Sequence, residues 1–184
     1  GVTCISVNDE VVHGIPGARV LERGDLVTLD VTAELDGYFA DAAITVAVPP
    51  AAPIAVRLAA SAETAFGKAM NVARAGAPLS ALGAAVEGSV RRQGFRVCPE
   101  LCGHGIGRTI HEEPNVPNHY DPRDRTRLAE GLVITIEPLV TTGSGRTKLA
   151  RDRWTVRTAD GALAAHFEHT VVIGRGRPLI LTAA

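Results

Sequence analysis

Residues 26–35 alternate well. Val27, Leu29, Val31, Ala33 and Leu35 fall on one side, and Thr28, Asp30, Thr32 and Glu34 on the other, the period-two signature of a strand with one apolar face. Asp36-Gly37 follows, a pair that favours a two-residue hairpin turn. Residues 38–48 read as the return strand, ended by Pro49-Pro50, and residues 2–7 also read as strand. Over residues 53–75 the period changes: Leu58, Ala62, Ala65, Phe66, Ala69 and Ala73 recur at three- and four-residue steps until Gly76, which predicts a helix. A second helix is predicted over residues 78–93, with Leu79, Leu82, Val86 and Val90 inward. Arg91 and Arg92 complement its macrodipole and Gly94 follows it. Beyond Arg96 the pattern gives apolar strands over 132–137 and 165–173 and a last edge strand over 178–182. The Gly-rich, basic stretch 143–153 reads as a solvated loop. This order predicts an α+β fold, with helices on one face of a mostly antiparallel sheet.

The chain has 184 residues, 46% of them hydrophobic and 21% charged, which suits a single globular domain over residues 1–184. A net charge of −1 supplies no global positive field, so nucleic-acid and membrane-surface binding are not expected. No apolar run is long enough to span a bilayer, and the opening residues do not read as a signal peptide. The first residue is not Met, and the chain enters strand-like sequence almost at once, so it reads as a segment whose natural start lies upstream. Three cysteines, Cys4, Cys98 and Cys102, are an odd number in a chain too large to need disulfides, and a reducing cytoplasm is the expected compartment. Cys98 and Cys102 lack the second pair that a structural zinc site needs and read as buried or loop thiols.

The chemistry begins at the hairpin. If Asp36-Gly37 is the turn, Leu35 pairs with Tyr38, Thr32 with Asp41 and Asp30 with Ala43, which makes Asp30 and Asp41 diagonal neighbours on one face. No Lys or Arg shares that face. The hairpin alone leaves a solvated face and a metal site equally open. The segment Gly103-His104-Gly105-Ile106-Gly107-Arg108-Thr109-Ile110-His111-Glu112-Glu113-Pro114 adds two histidines in a glycine frame, where the backbone could approach something closely. A phosphate loop is excluded because no Gly-Lys-Ser/Thr follows, and a zincin helix because Asn115 stands where the second histidine belongs. Glu137 closes one apolar strand and Glu168 enters another, and a carboxylate in so apolar a setting needs a partner. The recurrence of carboxylate strands, Asp30/Asp41 and then Glu137/Glu168, hints at two related halves sharing one site. Asp30, Asp41, His104, Glu137 and Glu168 together favour two divalent cations (Co, Mn, Fe or Zn) over a thiolate site. Such a pair, about 3.5–4 Å apart, polarises a carbonyl and acidifies water, the chemistry of amide or ester hydrolysis. No serine sits in a nucleophile elbow.

These motifs resemble type I methionine aminopeptidases. Cys4-Ile5-Ser6-Val7-Asn8, Val12-His13-Gly14-Ile15-Pro16, Asp30-Val31-Thr32, Asp36-Gly37-Tyr38 and Asp41 are similar to the family's first half. Residues 103–114, Thr135-Ile136-Glu137-Pro138, Trp154-Thr155-Val156 and Glu168-His169-Thr170 are similar to its second half. The resemblance implies a pita-bread fold, with the site in the concave face of the sheet and helices on the convex one. It implies that the five residues above are the metal ligands, with Glu137 doubling as acid/base. By the same resemblance His13 contacts the backbone beside the scissile bond and His111 stabilises the tetrahedral intermediate. Thr32 lies near the substrate amine, Cys4 and Trp154 border the methionine pocket, and Asn8 belongs to a loop for a monovalent cation. The implied partners are the N-termini of nascent polypeptides, which leaves room for a transient ribosome contact. The family's upstream helices and first strand are missing here, Ile110 stands where Phe is common, Arg153 replaces Gly before Trp154, and Leu139 replaces Met after Glu137-Pro138.

Two other functions compete. A prolidase-like Xaa-Pro peptidase shares the ligand types but typically has Gly after the Glu-Pro pair, where Leu139 stands here. A non-catalytic binding protein of the same fold would be expected to lose ligands, and none is lost.

Overall fold

The computed structural model describes residues 3–183. In chain order the elements are β1 (Thr3–Val7), β2 (Glu10–Val12), β3 (Leu26–Leu35), β4 (Tyr38–Ala47), α1 (Pro53–Met70), α2 (Leu79–Arg92), β5 (Arg96–Val97), β6 (Cys102–Gly105), β7 (Glu112–Pro117), β8 (Val133–Ile136), β9 (Leu139–Thr141), β10 (Thr147–Leu149), β11 (Val156–Thr158), β12 (Ala164–His166), β13 (Glu168–Val172) and β14 (Leu179–Ile180). Eight strands form one curled antiparallel sheet in the order β1-β3-β4-β13-β8-β6-β7, with β14 paired to β13. Two three-stranded sheets, β10-β11-β2 and β12-β9-β5, complete the molecule.

The β3–β4 hairpin has the expected register, with Leu35 opposite Tyr38, Thr32 opposite Asp41 and Asp30 opposite Ala43. Asp36 and Gly37 both take positive φ, 53° and 77°, as a two-residue hairpin turn requires. The hairpin joins the second half of the chain where β4 meets β13, Glu168 pairing with Ala43. The two carboxylate-bearing halves are therefore one continuous surface.

Alternation along β8 and β13 sorts their side chains. Ile134, Ile136 and Val171 are buried in the main core, where Leu58, Ala62, Ala65 and Phe66 of α1 and Leu79, Leu82, Val86 and Val90 of α2 also pack. Thr135, Glu137, Glu168 and Thr170 project to the opposite side of the sheet, and they too are buried. In the hairpin the same alternation has a different outcome. Its polar side is the covered one, with Thr28, Asp41 and Thr45 buried. Its apolar side is open: Leu29, Val31, Ile44 and Val46 are 41–50% exposed. Among the described residues, no helix covers that face in the way α1 and α2 cover β8 and β13.

Three sequence expectations need correction. Helix α1 stops at Met70, with Asn71 as C-cap, five residues before Ala75. The apolar positions beyond it pack in a turn, where Ala75 donates to the Gly174 carbonyl and Gly76 to that of Leu128. Residues 165–173 are not one strand. They divide at Phe167 into β12 and β13, which lie in different sheets. The stretch 143–153 is not wholly loop, since β10 within it pairs with β11. The strand expected over residues 2–7 is present as β1 from Thr3 to Val7, and Val2 lies outside the described residues.

Candidate metal centre

Asp30, Asp41, His104, Glu137 and Glu168 come from β3, β4, β6, the end of β8 and β13, and all five line one cleft of ≈ 460 Å³. His13 and His111 line it too. Each carboxylate is set by the alternation of its strand, and neighbouring hydroxyls hold two of them, Asp41 and Glu137. The Thr32 hydroxyl donates to Asp41 Oδ1 at 3.1 Å, and that of Thr135 to Glu137 Oε2 at 2.7 Å. Thr170 bonds the backbone of Asp41, accepting from its N–H and donating to its carbonyl, each at 2.8 Å. Asn118, which no sequence signal singled out, donates from Nδ2 to the Glu137 carbonyl at 2.9 Å.

The glycine frame of His104 serves strand packing. A Cβ on Gly103 would stand 2.6 Å from the Thr135 carbonyl oxygen, and one on Gly105 2.3 Å from that of Glu113. Neither glycine uses a positive φ. The thing closely approached is a neighbouring strand on either side, and His104 is held between them. His104 Nδ1 lies 2.9 Å from the Gly105 carbonyl. A carbonyl only accepts, so Nδ1 carries the proton and Nε2 keeps its lone pair. That Nε2 lies 3.6 Å from Glu137 Oε2.

Ligand-capable atoms gather in two groups, each within 4.8 Å: Asp41, His104 and Glu168 in one, Asp30, His166 and Glu168 in the other. Glu168 belongs to both. His166 was missed in the sequence because it sat inside an apolar run. The signal that could have found it is the spacing His166-Phe167-Glu168, which sends the outer two side chains to one side and Phe167 to the core.

Crowding of carboxylates with little solvent shapes their acidity. Burial raises the Asp30 pKa to about 6, His166 opposing this and Asp41 adding to it. Burial raises Glu137 well above the usual carboxylate range, and Glu168 adds to it. Glu168 is raised likewise, by burial and then by Asp41 and Asp30. Burial lowers the pKa of His104 and of His13. Among the described residues no Lys or Arg lies within ion-pair distance of these four carboxylates. Glu168 Oε1 and both ring nitrogens of His166 are buried without a hydrogen-bond partner. Unneutralised charge, unpartnered donor atoms and mixed O/N chemistry all fit divalent cations.

Of the remaining expected site residues, Cys4, Thr32 and Trp154 lie outside the cleft lining. Cys4 pairs with Asp30 across β1–β3, and burial followed by Asp30 and Asp41 raises its thiol pKa. Trp154 is 56% exposed and stacks on the His13 ring with centroids 4.9 Å apart. His111 is exposed and meets the His104 ring edge-on at 4.4 Å. Val12, Leu101, Cys102 and Leu139 line the cleft without having been expected there.

Residues 1–175 match metallopeptidase family M24. The chain belongs to that family. As a metallopeptidase it is a metal-dependent hydrolase of peptide bonds, and within M24 it stands with the methionine aminopeptidases. It is 44% identical to methionine aminopeptidase 2 of Bacillus subtilis over 184 residues, covering 99% of this chain and 74% of that relative. The structure of a methionine aminopeptidase from Thermotoga maritima superposes with a TM-score of 0.95 at 37% identity, covering 99% of this chain and 74% of that one. The prolidase from Pyrococcus furiosus superposes less well, with a TM-score of 0.80 at 25% identity over 100% of this chain and 49% of that one. The pita-bread fold expected from the motifs is the fold observed.

Proposed function

We propose that this chain removes N-terminal methionine from polypeptides whose second residue is small, using two divalent cations held by Asp30, Asp41, His104, Glu137 and Glu168. The observation that supports the reading is that these five side chains line one cleft, with Glu168 common to two groups of ligand-capable atoms. Divalent cations in such a set supply a Lewis acid for the scissile carbonyl and a means of ionising water near neutral pH.

The chain's own residues supply the rest. Glu137, a ligand in this reading, would double as acid/base, taking a proton from the attacking water and passing it to the leaving amine. His111 stands exposed at the mouth of the cleft, where its ring can donate to the oxyanion that develops at the scissile carbonyl. His13 stacks on Trp154, which orients its ring toward the peptide unit after the scissile bond. Thr32 bonds Asp41 and lies beside the expected position of the substrate amine. Cys4 and Trp154 form the outer border of the methionine pocket. Asn8 belongs to a loop for a monovalent cation. Its side chain is engaged with Asp25 and the Leu26 N–H at 2.8 and 2.9 Å, and its backbone carbonyl accepts from the Ala164 N–H at 2.8 Å.

The free thiols Cys4, Cys98 and Cys102 suit a reducing cytoplasm, where nascent chains are available as substrates and the ribosome is near. Turnover of Met-Ala-Ser against Ala-Pro peptides, with Mn²⁺ or Co²⁺ supplied, tests the reading. Cleavage of the methionine peptide is the expected result, and preference for Xaa-Pro would refute it.

A further inference from the structure

We propose that His166 is itself a metal ligand, so that each of the two cation positions has its own imidazole. This rests on the dinuclear reading above and adds a residue to it.

His166 is 2% exposed, and neither ring nitrogen has a hydrogen-bond partner. Its Nε2 lies 3.2 Å from Glu168 Oε2, but the two are not aligned for a hydrogen bond. A neutral imidazole carries one N–H and one lone pair, and a buried ring with neither used is costly. The surroundings supply what a cation needs. Ligand-capable atoms of Asp30, His166 and Glu168 lie within 4.8 Å of one another, as do those of Asp41, His104 and Glu168. The two groups mirror each other in composition: one aspartate, one imidazole and the shared glutamate.

The backbone that carries the ring is also held in place. The Thr45 hydroxyl accepts from the His166 N–H at 2.8 Å and donates to its carbonyl at 2.7 Å. Thr45 is fixed in turn by the Thr28 hydroxyl at 2.7 Å. His166 pairs with Leu139 across β12–β9, while Glu168, two residues on, pairs with Ala43 in the main sheet. The division of the strand at Phe167 therefore anchors His166 and Glu168 to different sheets and brings both side chains to the same side. A ligand set by backbone contacts to two sheets is preorganised, as a metal site requires.

The experiment is X-ray absorption on the full chain loaded with Zn²⁺, alongside calorimetric titration of the metal-free protein. If His166 is a ligand, imidazole scattering averages about one ring per zinc when two ions are bound, and about half a ring in His166→Gln. The variant should also lose affinity for one ion by more than the roughly 10–100-fold expected for losing an outer-shell partner. Half a ring per zinc in the unaltered protein, a measurement independent of any variant's folding, overturns the proposal while leaving the dinuclear reading intact. A saturating stoichiometry below two ions in the unaltered protein overturns both.

Discussion

Asp30 and Glu168 lie on different strands yet pair with the same residue, Ala43, from its two sides. That juxtaposition holds a half-buried and a buried carboxylate in one row, and it makes the metal-free protein sensitive to pH. Asp30 titrates near 3.8 when unperturbed and at about 6 in the folded chain. Below the lower value both states are protonated and nothing is lost. Between the two, the folded state binds the proton more tightly, and above about 6 both are ionised and the folded state bears the full penalty. Glu137 and Glu168 shift in the same direction. Chelated protein should therefore lose stability as pH rises through about 4–6, and Asp30→Asn should flatten that slope. Thermal melts from about pH 4 to 7 would check it. A metal-free Tm that rises across the range in both proteins would refute the site's electrostatics.

Glu168 is the one carboxylate common to both donor groups. Removing it should cost more metal than removing a residue of one group. Glu168→Ala is expected to bind neither ion tightly, whereas Asp30→Ala should retain one. Metal analysis after exhaustive dialysis gives the stoichiometries, and equal losses in the two variants would contradict the sharing. Chelation of the unaltered protein should abolish peptidase activity, and added Mn²⁺ or Co²⁺ should restore it.

The hairpin was legible because one dipeptide determines its register. With Asp36-Gly37 as the turn, the positions of Asp30 and Asp41 follow by counting. Glu137 and Glu168 were legible because carboxylates interrupt apolar strands. His166 was not, because the run from Ala165 to Ile173 gives no sign of where it changes sheets. Strand β10, with Thr147, Lys148 and Leu149 all partly or fully exposed, has no apolar face to reveal it. Helix α1 was drawn too long because alanine supports a helical period whether or not a helix is there. Periodicity identified one apolar face of β3–β4, but which face ends up covered depends on the rest of the molecule.

His111 is expected to act on the substrate and not on the metals. It reaches the cleft from an exposed position beside the His104 ring and belongs to neither donor group. His111→Ala should keep both ions and lose on the order of 10²–10³ in kcat, the usual effect of removing one oxyanion donor. A variant that lost an ion but kept its turnover per remaining dinuclear centre would reverse the assignment.

The open side of the hairpin predicts a solubility defect. Leu29, Val31, Ile44 and Val46 are all at least 41% exposed on one sheet face, and a contiguous apolar surface of that kind favours association. This 184-residue chain should self-associate with rising concentration and bind a hydrophobic dye. Ile44→Thr with Val46→Thr, both on the face away from the cleft, should reduce association without changing metal stoichiometry. Sedimentation of the two proteins over a concentration series would check this. A soluble monomer at all concentrations would mean that the exposed face is tolerated.

Substrate choice follows from what lines the cleft and what stands at its mouth. Val12, Leu101, Cys102 and Leu139 give it an apolar or soft wall, and the histidines and carboxylates occupy the catalytic side. Such a wall suits an unbranched, polarisable thioether and offers no cationic partner to an acidic side chain. Apolar fit alone discriminates by roughly 10–200-fold per methylene-sized change, so preference for methionine over norleucine should be modest. The second residue meets a firmer limit. His13 has a positive φ of 61°, its carbonyl accepts from the Thr155 hydroxyl at 3.1 Å, and its ring stacks on Trp154. A ring held at backbone and face cannot swing aside for a bulky side chain. Met-Ala, Met-Gly and Met-Ser peptides should be cut, and Met-Lys and Met-Leu peptides should not. Trp154→Ala frees one face of the His13 ring and should relax that bias, raising kcat/KM for Met-Leu relative to Met-Ala. Steady-state kinetics on matched tripeptides would measure both effects. An unchanged ratio in Trp154→Ala would remove His13 from the control of the second residue, and faster cleavage of Xaa-Pro than of Met-Ala would remove methionine from the first.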